Sequence, residues 1–247
     1  MELSPTPENQ ASGQDIYELT GCLTQADLAW LNAALSALRA DPEAVRGRAE
    51  TSGRANKIYL IKEHTELRMK IESFFAQVFP FDRSAYSFYS ANFYDLYNSY
   101  ALHCDNLGDG RGYYQAVIPL EVPPQPTYTI VFDQTASENV EWISPFYRKP
   151  AGYKPFHNKP IYDASWFGNW RDEYRISEED GAKYWGPAWA ETFREAYKGF
   201  SIKCAYRWSV GDVLIFNSRF AHCASDLRQL GIEKKTGLLI CLERKSR

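Results

Sequence analysis

Leucines at 28, 31, 35 and 38 recur at the spacing that gathers them on one face of a helix. Thr24 stands three residues before Asp27, a capping-box pair at that helix's start. A second helix is expected from Thr65, with Leu67, Ile71, Phe74, Phe75 and Val78 apolar and Pro80 as its stop. Between the two, residues 55–61 read as a short strand. Beyond Pro80 the period drops towards two. Residues 84–97 alternate small or polar side chains with aromatics, as a half-buried strand does. Further strands are expected over 112–122, which ends before Pro123, Pro124 and Pro126, and over 127–133, 210–216 and 236–242. Helices first and strands afterwards predict an α+β, mainly β protein or a jelly-roll barrel preceded by N-terminal helices. Residues 1–14 are polar, with Pro5, Pro7 and Gly13, and read as a loose tail. No repeat or long linker divides the chain, so 1–247 is expected to be one domain.

Residues 134–205 break this pattern and read as an insert between core strands. The part from 136 to 200 holds 16 of the 38 aromatic residues and five of the seven tryptophans. Ser177 with Asp180, and Pro187 at a helix start, predict at least one helix there. Trp189, Phe193 and Tyr197 recur every four residues along it. Such a stripe packs the insert onto the barrel; the functional alternative is a lid over a pocket.

Composition narrows the function classes. A net charge of −3 gives no general attraction to nucleic acid or anionic membrane. No apolar run reaches the roughly 18 residues of a membrane span, and residues 1–15 lack a basic-plus-apolar leader. Five cysteines with no CxxC pair do not form a disulfide framework, which points to a reducing, cytoplasmic setting.

Of four histidines, His64, His103, His157 and His222, two sit where chemistry is expected. His103-Cys104-Asp105 follows a predicted strand, and residues two apart on an extended chain face one side. His222 is placed at the end of the strand that begins after the Gly211-Asp212 turn. Two imidazoles and one carboxylate on one octahedral face suit Fe(II) and leave three positions open. An isolated His-X-Asp is also a common surface turn. Cys104 and Cys223 neighbour these residues and are expected to point away from any metal. His64 and His157 lack partners, and Gly108 to Gly112 read as a turn between strands rather than a phosphate loop.

The segment from Ala91 to Asp105 resembles the first metal strand of the 2-oxoglutarate-dependent dioxygenases, with Tyr94 nine residues before His103. The segment from Asp212 to His222 resembles their second signature. Together with the last strand, the resemblance covers about a third of the chain. It implies a double-stranded β-helix, cupin-like fold, with His103, Asp105 and His222 as the Fe(II) ligands. It also implies 2-oxoglutarate and O₂ as co-substrates, and succinate and CO₂ as products. The family's basic residue for the far carboxylate has three candidates here, Lys235, Lys234 and Arg228, with Lys235 preferred because it leads into the apolar run. Tyr94 and Ser99 are candidate 2-oxoglutarate contacts, and Asn92 and Asn217 candidate pocket residues. The carboxylate at Asp105 argues for hydroxylation, desaturation or ring formation over halogenation. An iron oxygenase without 2-oxoglutarate and a non-catalytic jelly-roll binding module are the alternatives. The rings of the insert, with Arg148, Lys149, Lys154, Arg171 and Arg175, suit a small polar or anionic metabolite or a plain hydrophobic subdomain. A small-molecule substrate is favoured over nucleic acid because no basic stripe appears; no membrane partner is expected, and the oligomeric state is open.

Overall fold

The computed structural model describes residues 15–47, 56–61, 64–78, 86–99, 102–105, 113–142 and 159–245. The expected tail, His157, the 108–112 turn and Arg148, Lys149 and Lys154 lie outside them. Thirteen strands are found among the described residues. They are β1 (Ile16–Leu19), β2 (Val45–Gly47), β3 (Lys57–Leu60), β4 (Tyr86–Leu96), β5 (His103–Asp105), β6 (Tyr113–Glu121), β7 (Tyr128–Thr135), β8 (Asn139–Trp142), β9 (Lys159–Ile161), β10 (Ile202–Arg207), β11 (Val213–Asn217), β12 (Phe220–Ala224) and β13 (Lys235–Arg244). The α-helices are α1 (Gln25–Ala40), α2 (Thr65–Val78) and α3 (Glu178–Trp185).

The strands form two sheets. The major sheet has the order β1-β11-β6-β13-β4-β3-β2, and the minor sheet β10-β7-β12-β5-β8-β9. Among the described strands only the β8–β9 pair is parallel. The minor sheet takes β8, β9 and most of β10 from residues 134–205.

Alternation along the strands sorts side chains into three layers. On β13, Leu238, Ile240 and Leu242 face outward and pack with Leu28, Leu31, Leu35 and Leu38 of α1 and with Ile71 and Phe75 of α2. The capping box at Thr24 and Asp27 is present, with the Thr24 hydroxyl accepting from the Asp27 N–H. The middle layer, between the sheets, contains Tyr94, Leu96, Val117, Val131, Trp208, Leu214 and Phe216. The third layer covers the outer face of the minor sheet. Ile130, Phe132, Cys104 and Cys223 pack there against Phe167, Trp185, Trp189 and Phe200.

That third layer is where the described part of the insert lies, on the far side of the minor sheet from the barrel interior. α3 begins at Ser177, whose hydroxyl accepts from the Asp180 N–H. The expected helical stripe after Pro187 is not an α-helix. Trp189–Phe193 is a π-helical turn and Glu195–Tyr197 a 3-10 turn. The widened turn brings Trp189 onto Trp185, with ring centroids 4.8 Å apart, and Tyr197 onto Phe132 at 5.8 Å. Ring packing therefore overrides the regular helical period.

Two strand boundaries also differ from the sequence pattern. His103-Cys104-Asp105 does not trail the preceding strand: it is itself β5, in the opposite sheet. The strand leading to His222 is two strands. β11 ends at Asn217, whose side-chain oxygen accepts from the Arg219 N–H. This tight turn sends the chain into β12 of the minor sheet, with His222 at its centre.

Candidate metal centre

β5 and β12 pair at His103 and His222. The two rings consequently stand side by side, with centroids 4.2 Å apart. Asp105, two residues along β5, shares the side of His103. Its Oδ2 lies 3.5 Å from His103 Nε2 and 3.4 Å from His222 Nε2. All three donor atoms lie within 4.8 Å of one another, the one such cluster among the described residues. Cys104 and Cys223 face the other way and are buried under the insert.

The tautomer of His222 follows from its neighbour. Its Nδ1 is 2.9 Å from the Phe220 carbonyl. A carbonyl only accepts, so Nδ1 donates and Nε2 keeps its lone pair. That lone pair faces a carboxylate, which is also an acceptor. A proton or a metal ion held between them would satisfy both. Burial, with His103 alongside, holds the His222 pKa below its ordinary value, favouring the neutral ring that ligates metals. Burial alone would raise the Asp105 pKa, but His103 and His222 override it and hold it well below the carboxylate range. This donor set fits Fe(II).

Two residues of the major sheet, unmarked in the sequence reading, complete the centre. Gln115 Nε2 donates to Asp105 Oδ2 at 2.6 Å. Phe216 sets its ring edge-on to His222, centroids 4.9 Å apart. The signal for Gln115 was present: it is in phase with inward Val117 and out of phase with outward Ala116 and Ile118.

The three candidate cations separate clearly. Lys234 lies outside the barrel, paired with Glu121 at 2.7 Å. Arg228 is exposed. Lys235 is 1% exposed and points inward. Its Nζ is 4.0 Å from the centre of the Trp208 ring and 3.5 Å from the Tyr128 carbonyl. No carboxylate of the described residues pairs with it. Burial lowers its pKa to about 7. Trp208 is held in turn by Nε1 donating to the Thr129 hydroxyl at 2.9 Å.

Tyr94 lies on the same inner face, edge-on to Trp208. Its phenol crosses β13 over Gly237, where a Cβ would come within 2.7 Å of the hydroxyl and 2.9 Å of the Ile118 carbonyl. Ser99 does not join the site. Its hydroxyl donates to the Ser225 carbonyl at 2.5 Å and accepts from the Leu227 N–H at 2.9 Å, so both roles go to the backbone. Asn217 is likewise used by its turn.

No family model matches the sequence, and no curated protein matches it. Solved structures do match in shape. SnoN, a non-heme α-ketoglutarate-dependent epimerase from nogalamycin biosynthesis, aligns over 93% of this chain and 78% of its own, with a TM-score of 0.55 and 11% identity. SnoK, a non-heme α-ketoglutarate-dependent carbocyclase from the same biosynthesis, aligns over 98% and 87%, with a TM-score of 0.51 and 13% identity. EctD from S. alaskensis, solved with 2-oxoglutarate and 5-hydroxyectoine, aligns over 93% and 72%, with a TM-score of 0.52 and 13% identity. The chain has the jelly-roll fold of these 2-oxoglutarate oxygenase structures. Within that fold it carries a His-X-Asp…His cluster. Among the described residues no helix is long and apolar enough to cross a membrane.

Proposed function

We propose that this chain is an Fe(II)- and 2-oxoglutarate-dependent oxygenase that oxidises an unactivated C–H bond of a small metabolite. The supporting observation is what one barrel interior holds. Two imidazoles and a carboxylate converge as a metal's donor set does, and the buried Lys235 amine has no carboxylate partner among the described residues. A bound dicarboxylate keto acid beside a divalent metal fits both.

On this reading His103, Asp105 and His222 ligate the iron, and Lys235 holds the far carboxylate of 2-oxoglutarate. Held by these three residues, iron would supply O₂ activation coupled to decarboxylation of the keto acid, with succinate and CO₂ as products. Phe220 fixes the His222 tautomer, so Nε2 stays available. Trp208 holds the Lys235 ammonium by its ring face, and Tyr94 borders the same pocket. Phe216, Val117 and Leu214 keep the interior apolar and limit water. A carboxylate at Asp105, where a halide-binding site would have a small residue, argues for hydroxylation, desaturation or cyclisation.

The test is iron analysis together with succinate release. The wild-type protein is expected to bind one Fe(II) and to release succinate only with 2-oxoglutarate and O₂. His103→Ala and His222→Ala should lose the metal. Unchanged iron occupancy in both variants removes the metal centre. Iron binding without 2-oxoglutarate turnover, across a broad metabolite pool, leaves an iron protein of another class.

A further inference from the structure

We propose that Gln115 is a positioning residue for the metal centre: from the facing sheet it fixes the Asp105 carboxylate so that Oδ2 is presented to the metal. This rests on the metal-centre reading above. Every ligand comes from the minor sheet, on β5 and β12, whereas Gln115 stands on β6 of the major sheet. It is 3% exposed, with the apolar inward residues Val117 and Phe216 beside it. A buried amide is costly unless it is bonded. Here its Nε2 donates at 2.6 Å to the same oxygen that faces both imidazoles. The amide must present its nitrogen, because an ionised carboxylate only accepts.

The need for such a brace follows from Asp105's own support. β5 is held along its backbone by β8, by β12 at the His103–His222 pair and by the Asp105 N–H to the Ser218 carbonyl, but none of these bonds touches the Asp105 carboxylate. The last torsion of an aspartate is soft. A carboxylate free to turn can bind a metal through one oxygen or both, and the second mode consumes a position needed by a co-substrate. Pinning Oδ2 settles that choice. A neutral amide does so without competing as a cation, as Lys or Arg would. Its neighbour reinforces the pattern: β6 and β11 pair Gln115 with Phe216, and Phe216 braces His222. Adjacent residues of one sheet each steady one ligand supplied by the other.

The test uses Co(II) in place of iron, read by its affinity and its visible ligand-field bands. Gln115→Met is expected to weaken Co(II) binding about 10- to 100-fold, the usual cost of losing such a support, and to alter the bands. Introduced into Asp105→Ala, the same substitution should change Co(II) affinity less than about 2-fold, because its effect passes through Asp105. Gln115→Asn keeps the amide but withdraws it by one methylene, and should shift the bands in the same direction. Thermal unfolding of each variant reports folding separately. Wild-type affinity and bands in Gln115→Met or Gln115→Asn overturn the proposal, as does an equal loss in the Asp105→Ala background. Failure of the wild-type protein to take up Co(II) overturns the metal centre itself, and the positioning role with it.

Discussion

Arg39 and Lys235 stand on opposite faces of the start of β13, Arg39 reaching it from α1 and Lys235 belonging to it, and their surroundings differ. Arg39 comes from α1 on the outer face. It meets Asp95 at 2.6 Å and Glu121 at 2.9 Å. Thr236 donates to Asp95 at 2.6 Å, and the Tyr59 hydroxyl to the same carboxylate at 2.8 Å. Burial would raise the Asp95 pKa, but Arg39, Thr236 and Tyr59 together lower it. The outer cluster satisfies itself. Lys235, one residue before Thr236, has a ring face and one long bond to a carbonyl. Among the described residues no carboxylate pairs with it, and burial lowers its pKa. A self-neutralised buried cation fastens a helix to a sheet. A buried cation left without its anion costs stability, and a site that binds an anion recovers that cost.

The largest expected break of this symmetry is at Lys235. On the proposed reading, Lys235→Met costs about 2–5 kcal/mol of 2-oxoglutarate affinity, at least about 30-fold, because the bound carboxylate loses its partner. The same change should leave thermal stability equal or higher, since an amine that folding must bury unpaired or deprotonate is replaced by an apolar chain of similar length. Calorimetric titration and a melting curve check both halves. Loss of stability without loss of affinity would make Lys235 structural. Arg39→Met should do the reverse. It strands Asp95, which is 2% exposed, and should cost about 3 kcal/mol of unfolding free energy, low in the range for a broken buried pair because Arg39 is itself 29% exposed. Co-substrate affinity should stay within about 3-fold. A urea titration in which Arg39→Met matches wild type would dissolve the contrast.

The outer cluster shows why the two helices and the long strands were readable from sequence. The leucines of α1 and the run Leu238, Ile240 and Leu242 each carry a simple period, because one face meets one apolar layer. The inward phase of Lys235 follows from the same alternation, but only once the first residue of β13 is known. The minor sheet was less legible. β5 is three residues long, too short to show any period. β11 and β12 are both apolar on two faces, since each is covered by a layer on either side, so their boundary carries no hydrophobic signal. The turn residues Asn217 and Ser218 marked it instead. That His103 and Asp105 share a side is implied by their spacing. That His222 lies opposite His103 depends on pairing between strands 117 residues apart in sequence, as counted from Asp105. Ser99 shows the converse failure: a hydroxyl near the site is drawn to backbone groups that no local pattern reveals.

The smallest expected effect lies in how stability depends on pH. Lys235 falls from the ordinary 10.5 to about 7 when folded. Between those values the unfolded chain holds a proton that the folded chain has lost, so stability should rise with pH from about 7 upward. Asp95 has the opposite limb. Its folded pKa lies below 3.8, so its contribution is full above that value and is lost as acid protonates the folded form. Urea unfolding from pH 3 to 9.5 should therefore show two separate slopes. Lys235→Met should flatten the alkaline rise and keep the acid loss, whereas Arg39→Met should shrink the acid loss and keep the rise. A dicarboxylate bound at Lys235 favours the charged amine. Near pH 8, 2-oxoglutarate binding by the metal-loaded protein should then take up a fraction of a proton, read as a dependence of the binding heat on the buffer's ionisation enthalpy. Lys235→Arg, which stays charged at every relevant pH, should bind without that uptake. Equal uptake in both proteins would place the proton elsewhere and remove the distinction between the two cations on which the inner site rests.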